Sequence, residues 1–285
     1  MKTTLKTPGE LTDELIVLAL TEDIGDGDHS TLSCIPPDRT GKIRLIIKED
    51  GILAGVDMAK RIFNYFDPLL QMEIFIHDGA KIKKGDVVFT IEGKLHSILQ
   101  TERLVLNVMQ RMSGIATATR RYVKALKSTR TCVLDTRKTT PGMRVLEKEA
   151  VRIGGGGNHR TGLYDMILLK DNHIDFAGGI EQAITCTRNY LKENGKDLKI
   201  EIEVRNIDEL DEVLRVGGVD RIMLDNFSIA STLEAVRRIA GRYETESSGG
   251  ITLDTIRSFA ACGVDYISVG ALTHSVKSLD MSLKA

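Results

Sequence analysis

From Cys132 onward the chain repeats one pattern: a short apolar run, then charged or glycine residues, then a helix-sized segment. Apolar runs at 132–135, 166–169, 199–204, 221–224, 243–246 and 266–269 read as strands. Segments 144–152, 181–193, 207–216, 229–240 and 253–262 read as helices, with Ser228 and Thr252 placed to cap the last two. Such alternation predicts parallel strands with crossover helices. The residues at the end of each strand narrow the choice. Arg137 and Lys138 come after the first, Lys170 with Asp171-Asn172-His173 after the second, and Glu203 and Arg205 end the third. Asp225-Asn226, Ser247-Ser248-Gly249-Gly250 and Gly270 come after the rest. A β/α barrel builds its active site at the carboxyl ends of its strands, so six such ends in succession favour a barrel enzyme over a doubly wound sheet. No Gly-x-Gly-x-x-Gly succeeds a strand and there is no Walker-type lysine, which counts against dinucleotide and nucleoside-triphosphate folds.

The first half reads differently. Apolar residues at 11, 15, 18 and 19 predict a helix over 10–22, ending in an acidic loop over 22–31. That loop lacks the ligand spacing of a calcium site and reads as a structural turn. Strands are expected at 42–48, 51–54, 72–77 and 87–91, and a helix at 56–66 stopped by Asp67-Pro68. The stretch Gly79 to Gly93 resembles the hairpins of biotinyl and lipoyl carrier domains. It has no modifiable lysine on a tight turn, so it predicts a hammerhead-like scaffold and no carrier. Residues 97–127 form the longest helical stretch, interrupted or kinked near Ser113-Gly114. Arg103 and Arg111 on it read as surface salt bridges.

Composition excludes several functions. The chain has 285 residues with a formal net charge of −1, which removes any bulk electrostatic case for nucleic acid or an anionic membrane. An anion site must therefore be a local cluster of cations. There is no long apolar run, and Cys34, Cys132, Cys186 and Cys262 form no Cys-x-x-Cys pair. A reducing cytoplasm is the expectation.

The local cluster is Asp135-Thr-Arg-Lys-Thr-Thr-Pro-Gly142 with its sequel Gly154-Gly-Gly-Gly-Asn-His-Arg160. At one barrel mouth, Arg137, Lys138, His159, Arg160 and Lys170 would face Glu203 and Asp225. That many cations repel one another unless a polyanion or carboxylates offset them. Two carboxylates from different strands could hold Mg²⁺ together with substrate phosphates, or stabilise positive charge growing on a sugar carbon. The small residues of 247–250 and 268–271 suit a phosphate cup. Together these features point to a phosphorylated sugar and an anionic second substrate.

The same blocks, with Glu22-Asp-Ile-Gly, Glu102-Arg-Leu-Val-Leu-Asn107, Leu168-Leu-Lys-Asp-Asn-His173, Leu224-Asp-Asn-Phe227 and Ser268-Val-Gly-Ala-Leu-Thr-His274, resemble the quinolinate phosphoribosyltransferase family over nearly the whole chain. The resemblance implies a pentosyltransferase of pyridine nucleotide (NAD) biosynthesis. It would convert quinolinate and phosphoribosyl pyrophosphate to nicotinate mononucleotide, pyrophosphate and CO₂, with Mg²⁺. It implies an α/β fold: an N-terminal mixed α/β domain over 1–115, then an incomplete parallel β/α barrel over 116–285 whose C-terminal tail could pack back on the first domain. It also implies a homodimer, with room for a higher oligomer. Carried over by motif, Thr136, Arg137, Lys138, His159, Arg160 and Lys170 would bind quinolinate, and Arg103 would enter from the partner subunit. Glu203 and Asp225 would serve the metal, pyrophosphate and ribose. Ser248, Gly249, Gly250, Val269, Gly270, Ala271 and His274 would hold the 5′-phosphate. Lys138, His159, Lys170, Glu203 and Asp225 would carry the chemistry, with His159 or Lys170 returning a proton to the ring. The glycine run then reads as a flexible approach to His159 and Arg160. Ile153, where the family often has cysteine, and the fourth glycine are departures that remove no charge. Two rivals stand beside this reading: a relative associated with molybdate uptake that shares the Asp-Thr-Arg-Lys-Thr block, and a Schiff-base aldolase using Lys170.

Overall fold

The computed structural model describes residues 4–285. Its elements run α1 (Pro8–Ile24), α2 (His29–Cys34), β1 (Thr40–Ile47), β2 (Gly51–Ile52), α3 (Val56–Phe66), β3 (Gln71–Ile74), β4 (Lys81–Ile82), β5 (Val87–Lys94) and α4 (Leu95–Ala125). Next come β6 (Cys132–Leu134), α5 (Arg144–Gly154), β7 (Ile167–Leu169), α6 (Asp171–Ala177), α7 (Ile180–Glu193), β8 (Ile200–Val204), α8 (Ile207–Val216) and β9 (Arg221–Asp225). The last are α9 (Ile229–Ile239), β10 (Glu244–Ser248), α10 (Ile256–Ala261), β11 (Tyr266–Ser268), α11 (Ala271–His274) and β12 (Met281–Lys284). Two compact units result. One comprises residues up to Arg120 with Thr139–Gly155 and Leu272–Ala285; the other comprises Arg121–Lys138 and Gly156–Ala271. Two later segments, Thr139–Gly155 and Leu272–Ala285, thus group with the first unit.

In the first unit, α1 starts where the sequence offers a capping box. Thr7 Oγ1 accepts from the Glu10 amide at 3.2 Å, and the Glu10 carboxylate accepts from the Thr7 amide at 2.7 Å. The acidic loop contains a further helix, α2, because Asp28 caps it by accepting from the Thr31 amide at 3.1 Å. The antiparallel sheet has the order β12-β1-β5-β3. Its buried residues Leu45, Ile47, Phe89 and Ile91 form a core with Ile62 and Phe63 of α3, where Phe63 meets Phe89 edge to face at 6.1 Å. The C-terminal strand β12 pairs with β1, placing Leu45 opposite Leu283.

Helix α4 runs unbroken through Ser113-Gly114, against the expected interruption. Both residues serve packing. Ser113 Oγ accepts from the Ala54 amide at 2.9 Å, and a side chain at Gly114 would come within 2.3 Å of the Lys277 carbonyl. Arg111, read from sequence as a surface salt bridge, instead grips the fully buried Glu147 of α5 at 2.7 Å and donates to the Thr273 carbonyl at 2.8 Å.

The second unit is a six-stranded sheet of order β6-β11-β10-β9-β8-β7, parallel throughout. β8 shows why it is two-faced. The sequence Ile200-Glu-Ile-Glu-Val204 is buried along its whole length yet alternates apolar and acidic. Side chains alternate faces along a strand, so the apolar set faces one way and Glu201 and Glu203 the other. With Ile222 and Leu224 of β9, that set forms an apolar layer with Leu210, Val213, Ala235 and Ile239 of the helices. Each leucine, isoleucine or valine among them contributes about 1.5–3 kcal/mol on burial. The acidic face turns inward with Arg221 and Glu246.

Ser228 caps α9, accepting from the Ser231 amide at 3.1 Å. Thr252 does not cap α10, which begins later at Ile256. The Thr252 amide is drawn to Thr255 Oγ1 at 3.0 Å and forms a local turn first. Helix α6 fills a stretch read only as strand-end chemistry. Among the described residues no helix is long and apolar enough to cross a membrane.

Candidate active site

The strand ends of the second unit bring most of the expected residues into one face. β7 delivers Lys170, β8 Glu203, β9 Asp225 and β10 Ser248, with Glu203 level with Met223 and Ser248 with Asp225 in the register. Lys170 Nζ lies 3.4 Å from Glu203 Oε2. Burial pushes the Glu203 carboxyl above its ordinary pKa; Lys170 opposes this, and the nearby Asp225 charge adds to it. Two carboxylates close enough to repel, with oxygen donors only, match the needs of a hard divalent cation.

After β10 the backbone is built for glycine. Gly249 has φ +95° and Gly250 φ +59°, and a side chain at Gly249 would sit 2.1 Å from Asn226 Oδ1. Asn226 is itself left-handed at φ +56°, with its amide donating to the Ser248 carbonyl at 2.9 Å. The Ser248–Gly250 turn is therefore braced by the Asp225-Asn226 turn at the end of the neighbouring strand β9. Val269 is buried behind β11, and its amide donates to the Leu134 carbonyl at 2.9 Å, while Gly270 and Ala271 lie at the strand end.

The block after β6 is fixed as firmly. Thr136 Oγ1 accepts from the Lys138 amide at 3.0 Å, turning the chain behind Arg137. The segment after the glycine run then lies along the edge of β6. Gly157 forms a parallel bridge with Leu134, its amide reaches the Val133 carbonyl at 2.8 Å, and the His159 amide reaches Asp135 Oδ1 at 2.9 Å. A side chain at Gly157 would sit 2.7 Å from Leu134 Cδ2. The glycine run is thus not a flexible approach. Gly155 takes the left-handed cap of α5 at φ +94°, and Gly157 is docked on the strand.

This docking sets Arg160 near Arg137. Burial lowers the Arg160 pKa and the Arg137 charge lowers it further, while Glu201 and Asp165 oppose both. Arg160 Nη1 also donates to the Met166 carbonyl at 3.3 Å. Two guanidiniums within electrostatic reach of one another suit a ligand with two carboxylates.

Sequence reasoning missed the layer beneath. His159 is buried; its Nε2 lies 2.9 Å from Glu201 Oε2 and 3.5 Å from Glu246 Oε2. Arg221 Nη1 pairs with Glu246 Oε2 at 3.0 Å and stacks 4.0 Å over the Tyr266 ring. Burial raises both carboxyls to about 7, and the Glu201 charge raises Glu246 as well. In a flat sheet β6 and β8 would stand about 19 Å apart, four strand spacings. His159, fastened beside β6, nevertheless touches Glu201 of β8, so the sheet curls into an incomplete barrel. The signal in the sequence was the period of two: Glu201 stands two residues before Glu203, and Glu246 two before Ser248.

Arg103 and His274 belong to the first unit. Arg103 is exposed on α4 and, among the described residues, makes no ion pair; the surface bridge that is the default for a helical arginine, already set aside for it in favour of a role in the partner subunit's site, is not formed. His274 is exposed, with Nδ1 2.7 Å from Ser275 Oγ.

Comparison with known proteins agrees with this architecture. Residues 28–113 match the family model "Quinolinate phosphoribosyl transferase, N-terminal domain" and residues 115–284 its C-terminal domain. Quinolinate phosphoribosyltransferase [decarboxylating] 1b of Nicotiana tabacum is 47% identical over 98% of this chain and 85% of its own length. A probable nicotinate-nucleotide pyrophosphorylase [carboxylating] of Bacillus subtilis is 43% identical over 92% of this chain and 89% of its own. The crystal structure of NadC from Streptococcus pyogenes superposes with a TM-score of 0.91 at 42% identity, covering 99% of this chain and 98% of that one. With both of its domains matched in order and relatives of this similarity along nearly all of its length, the chain belongs to the quinolinate phosphoribosyltransferase family.

Proposed function

We propose that the chain transfers the phosphoribosyl group of phosphoribosyl pyrophosphate to quinolinate with loss of CO₂, a step of de novo NAD biosynthesis. The observation that carries this reading is that the segment docked along β6 brings Arg160 within electrostatic reach of Arg137. Two guanidinium groups brought near one another match the two neighbouring carboxylates of quinolinate, each of which can take paired hydrogen bonds.

In this reading Arg137 and Arg160 grip the carboxylates, with Thr136 and Lys138 beside them. The Ser248–Gly250 turn, with Val269, Gly270 and Ala271, holds the 5′-phosphate. Glu203 and Asp225 would hold Mg²⁺, which offsets pyrophosphate charge when bound, and they face the ribose carbon as it becomes cationic. The quinolinate nitrogen forms a bond to that carbon as its bond to pyrophosphate breaks. The ring is then a pyridinium and accepts the electron pair left when the carbon–carbon bond to CO₂ breaks. A proton must return to that ring carbon. We assign its delivery to Lys170, because both ring nitrogens of His159 face groups of the protein. The protein's contribution is positioning and preorganised charge.

Arg103 is proposed to complete the partner's site in a homodimer, which agrees with its exposure. The four cysteines, all free, fit a reducing cytoplasm. An aldolase needs an uncharged amine at Lys170, whereas this lysine is ion-paired with Glu203. The test is CO₂ release from quinolinate in the presence of phosphoribosyl pyrophosphate and Mg²⁺. Borohydride trapping of an adduct at Lys170, with no CO₂ released, would overturn the reading.

A further inference from the structure

Arg111 of α4 ties together two chain segments that come directly after residues assigned to the substrates. Its Nη2 donates to Thr140 Oγ1 at 3.1 Å and to the Thr273 carbonyl at 2.8 Å. Its Nε donates to Glu147 Oε1 at 2.7 Å, and Glu147 Oε2 accepts from the Thr140 amide at 3.2 Å. Glu147 is fully buried and Arg111 half-buried. A buried ion pair is weak evidence of a gain in stability, since apolar side chains of the same volume pack as well. What an apolar pair cannot do is direct hydrogen bonds to a hydroxyl, an amide and a carbonyl at once. All four residues belong to the first unit. Thr140 is the second residue after Lys138 and Thr273 the second after Ala271, and at both points the chain has just left the second unit.

We infer that Arg111, oriented by Glu147, is a positioning residue for both substrates. Through Thr140 it sets the segment that carries Arg137 and Lys138 toward quinolinate. Through Thr273 it sets the segment that carries Gly270 and Ala271 toward the 5′-phosphate. This rests on the proposed roles of those residues. The influence runs along the chain, from each tethered threonine back to the residues just before it. Lysine is no substitute, because a point charge can neutralise Glu147 but cannot fork to both segments.

The test uses the full chain. Arg111→Lys keeps a charge beside Glu147, so the buried carboxylate is not stranded. It should raise KM for quinolinate and for phosphoribosyl pyrophosphate at least about fivefold each. Arg111→Gln combined with Glu147→Gln removes both charges together and should give the same two shifts. Thr140→Val takes away the hydroxyl of one segment alone. It should raise KM for quinolinate about threefold and leave that for phosphoribosyl pyrophosphate within about twofold. Loss of stability by itself lowers the fraction of active enzyme, and so kcat, while both KM values stay where they were. Normal KM values in Arg111→Lys, or equal rises for both substrates in Thr140→Val, mean that Arg111 is not a positioning residue. Hydrogen exchange read by mass spectrometry needs no turnover. In Arg111→Lys, peptides covering Thr140 and Thr273 should exchange at least about tenfold faster, with β8 and β9 within about twofold of wild type. Unchanged exchange at both segments overturns the inference whatever the kinetics. If wild type releases no CO₂ while exchange rises as expected, the functional reading fails and the tether stands.

Discussion

His159, anchored beside the first barrel strand, places its Nε2 2.9 Å from Glu201 on a strand four positions away in the sheet. One contact thus reports both the curl of the sheet and the rigidity of the segment that carries Arg160.

Removing either guanidinium should unpair a substrate carboxylate. Arg137→Ala and Arg160→Ala are each expected to lose about 2–5 kcal/mol of transition-state stabilisation, read as kcat/KM for quinolinate. Lysine should restore little, since a point charge cannot give paired hydrogen bonds to a carboxylate. Near-normal efficiency in either alanine variant would remove that residue from the site.

Gly157 has no room for a side chain, because a methyl group would sit 2.7 Å from Leu134 Cδ2. Gly157→Ala should cost about 1–3 kcal/mol of stability in urea unfolding, as overpacking does. It should also weaken quinolinate binding by displacing Arg160. A variant as stable and active as wild type would mean that the segment can shift freely.

Glu246 makes stability depend on pH in a definite sense. Its folded pKa, about 7, lies above the ordinary 4.5 because burial and Glu201 disfavour its charge. The folded state therefore holds this proton more tightly than the unfolded chain between those values. The contribution is complete below about pH 4.5 and is lost as pH rises through about 7. Glu246→Gln cannot titrate, so its stability relative to wild type should rise between pH 5 and pH 8, by up to about 3 kcal/mol. Parallel unfolding free energies for the two proteins over that range would contradict this.

Arg103 offers a test of sharing between subunits. Arg103→Ala and Lys138→Ala proteins should each be inactive, but a mixed dimer rebuilds one intact site. Equal mixing should restore about a quarter of wild-type activity. Verified subunit exchange with no recovery would confine Arg103 to its own chain.

The mouth of the barrel was legible in the sequence because its residues end strands, where a charge interrupts an apolar run. Lys170, Glu203 and Asp225 are of this kind. The layer below was not, because Glu201, Arg221 and Glu246 lie within or at the start of strands, where a reading by apolar runs expects core. Alternation along β8 puts Glu201 on the same face as Glu203. Other misses were matters of distance along the chain. The pair Ser113-Gly114 looks like a helix break until the Lys277 carbonyl, far away in sequence, comes to rest against it. Thr252 looks like a cap until Thr255 captures its amide. Arg111 looks exposed until Glu147 is buried beside it.

The most direct measurement uses quinolinate labelled in the carboxylate next to the ring nitrogen, incubated with phosphoribosyl pyrophosphate, Mg²⁺ and the full chain. One labelled CO₂ should appear for each pyrophosphate, and nicotinate, which lacks that carboxylate, should release pyrophosphate far more slowly. Pyrophosphate release without CO₂, or equal rates with nicotinate, would contradict the account of a site built around two adjacent carboxylates.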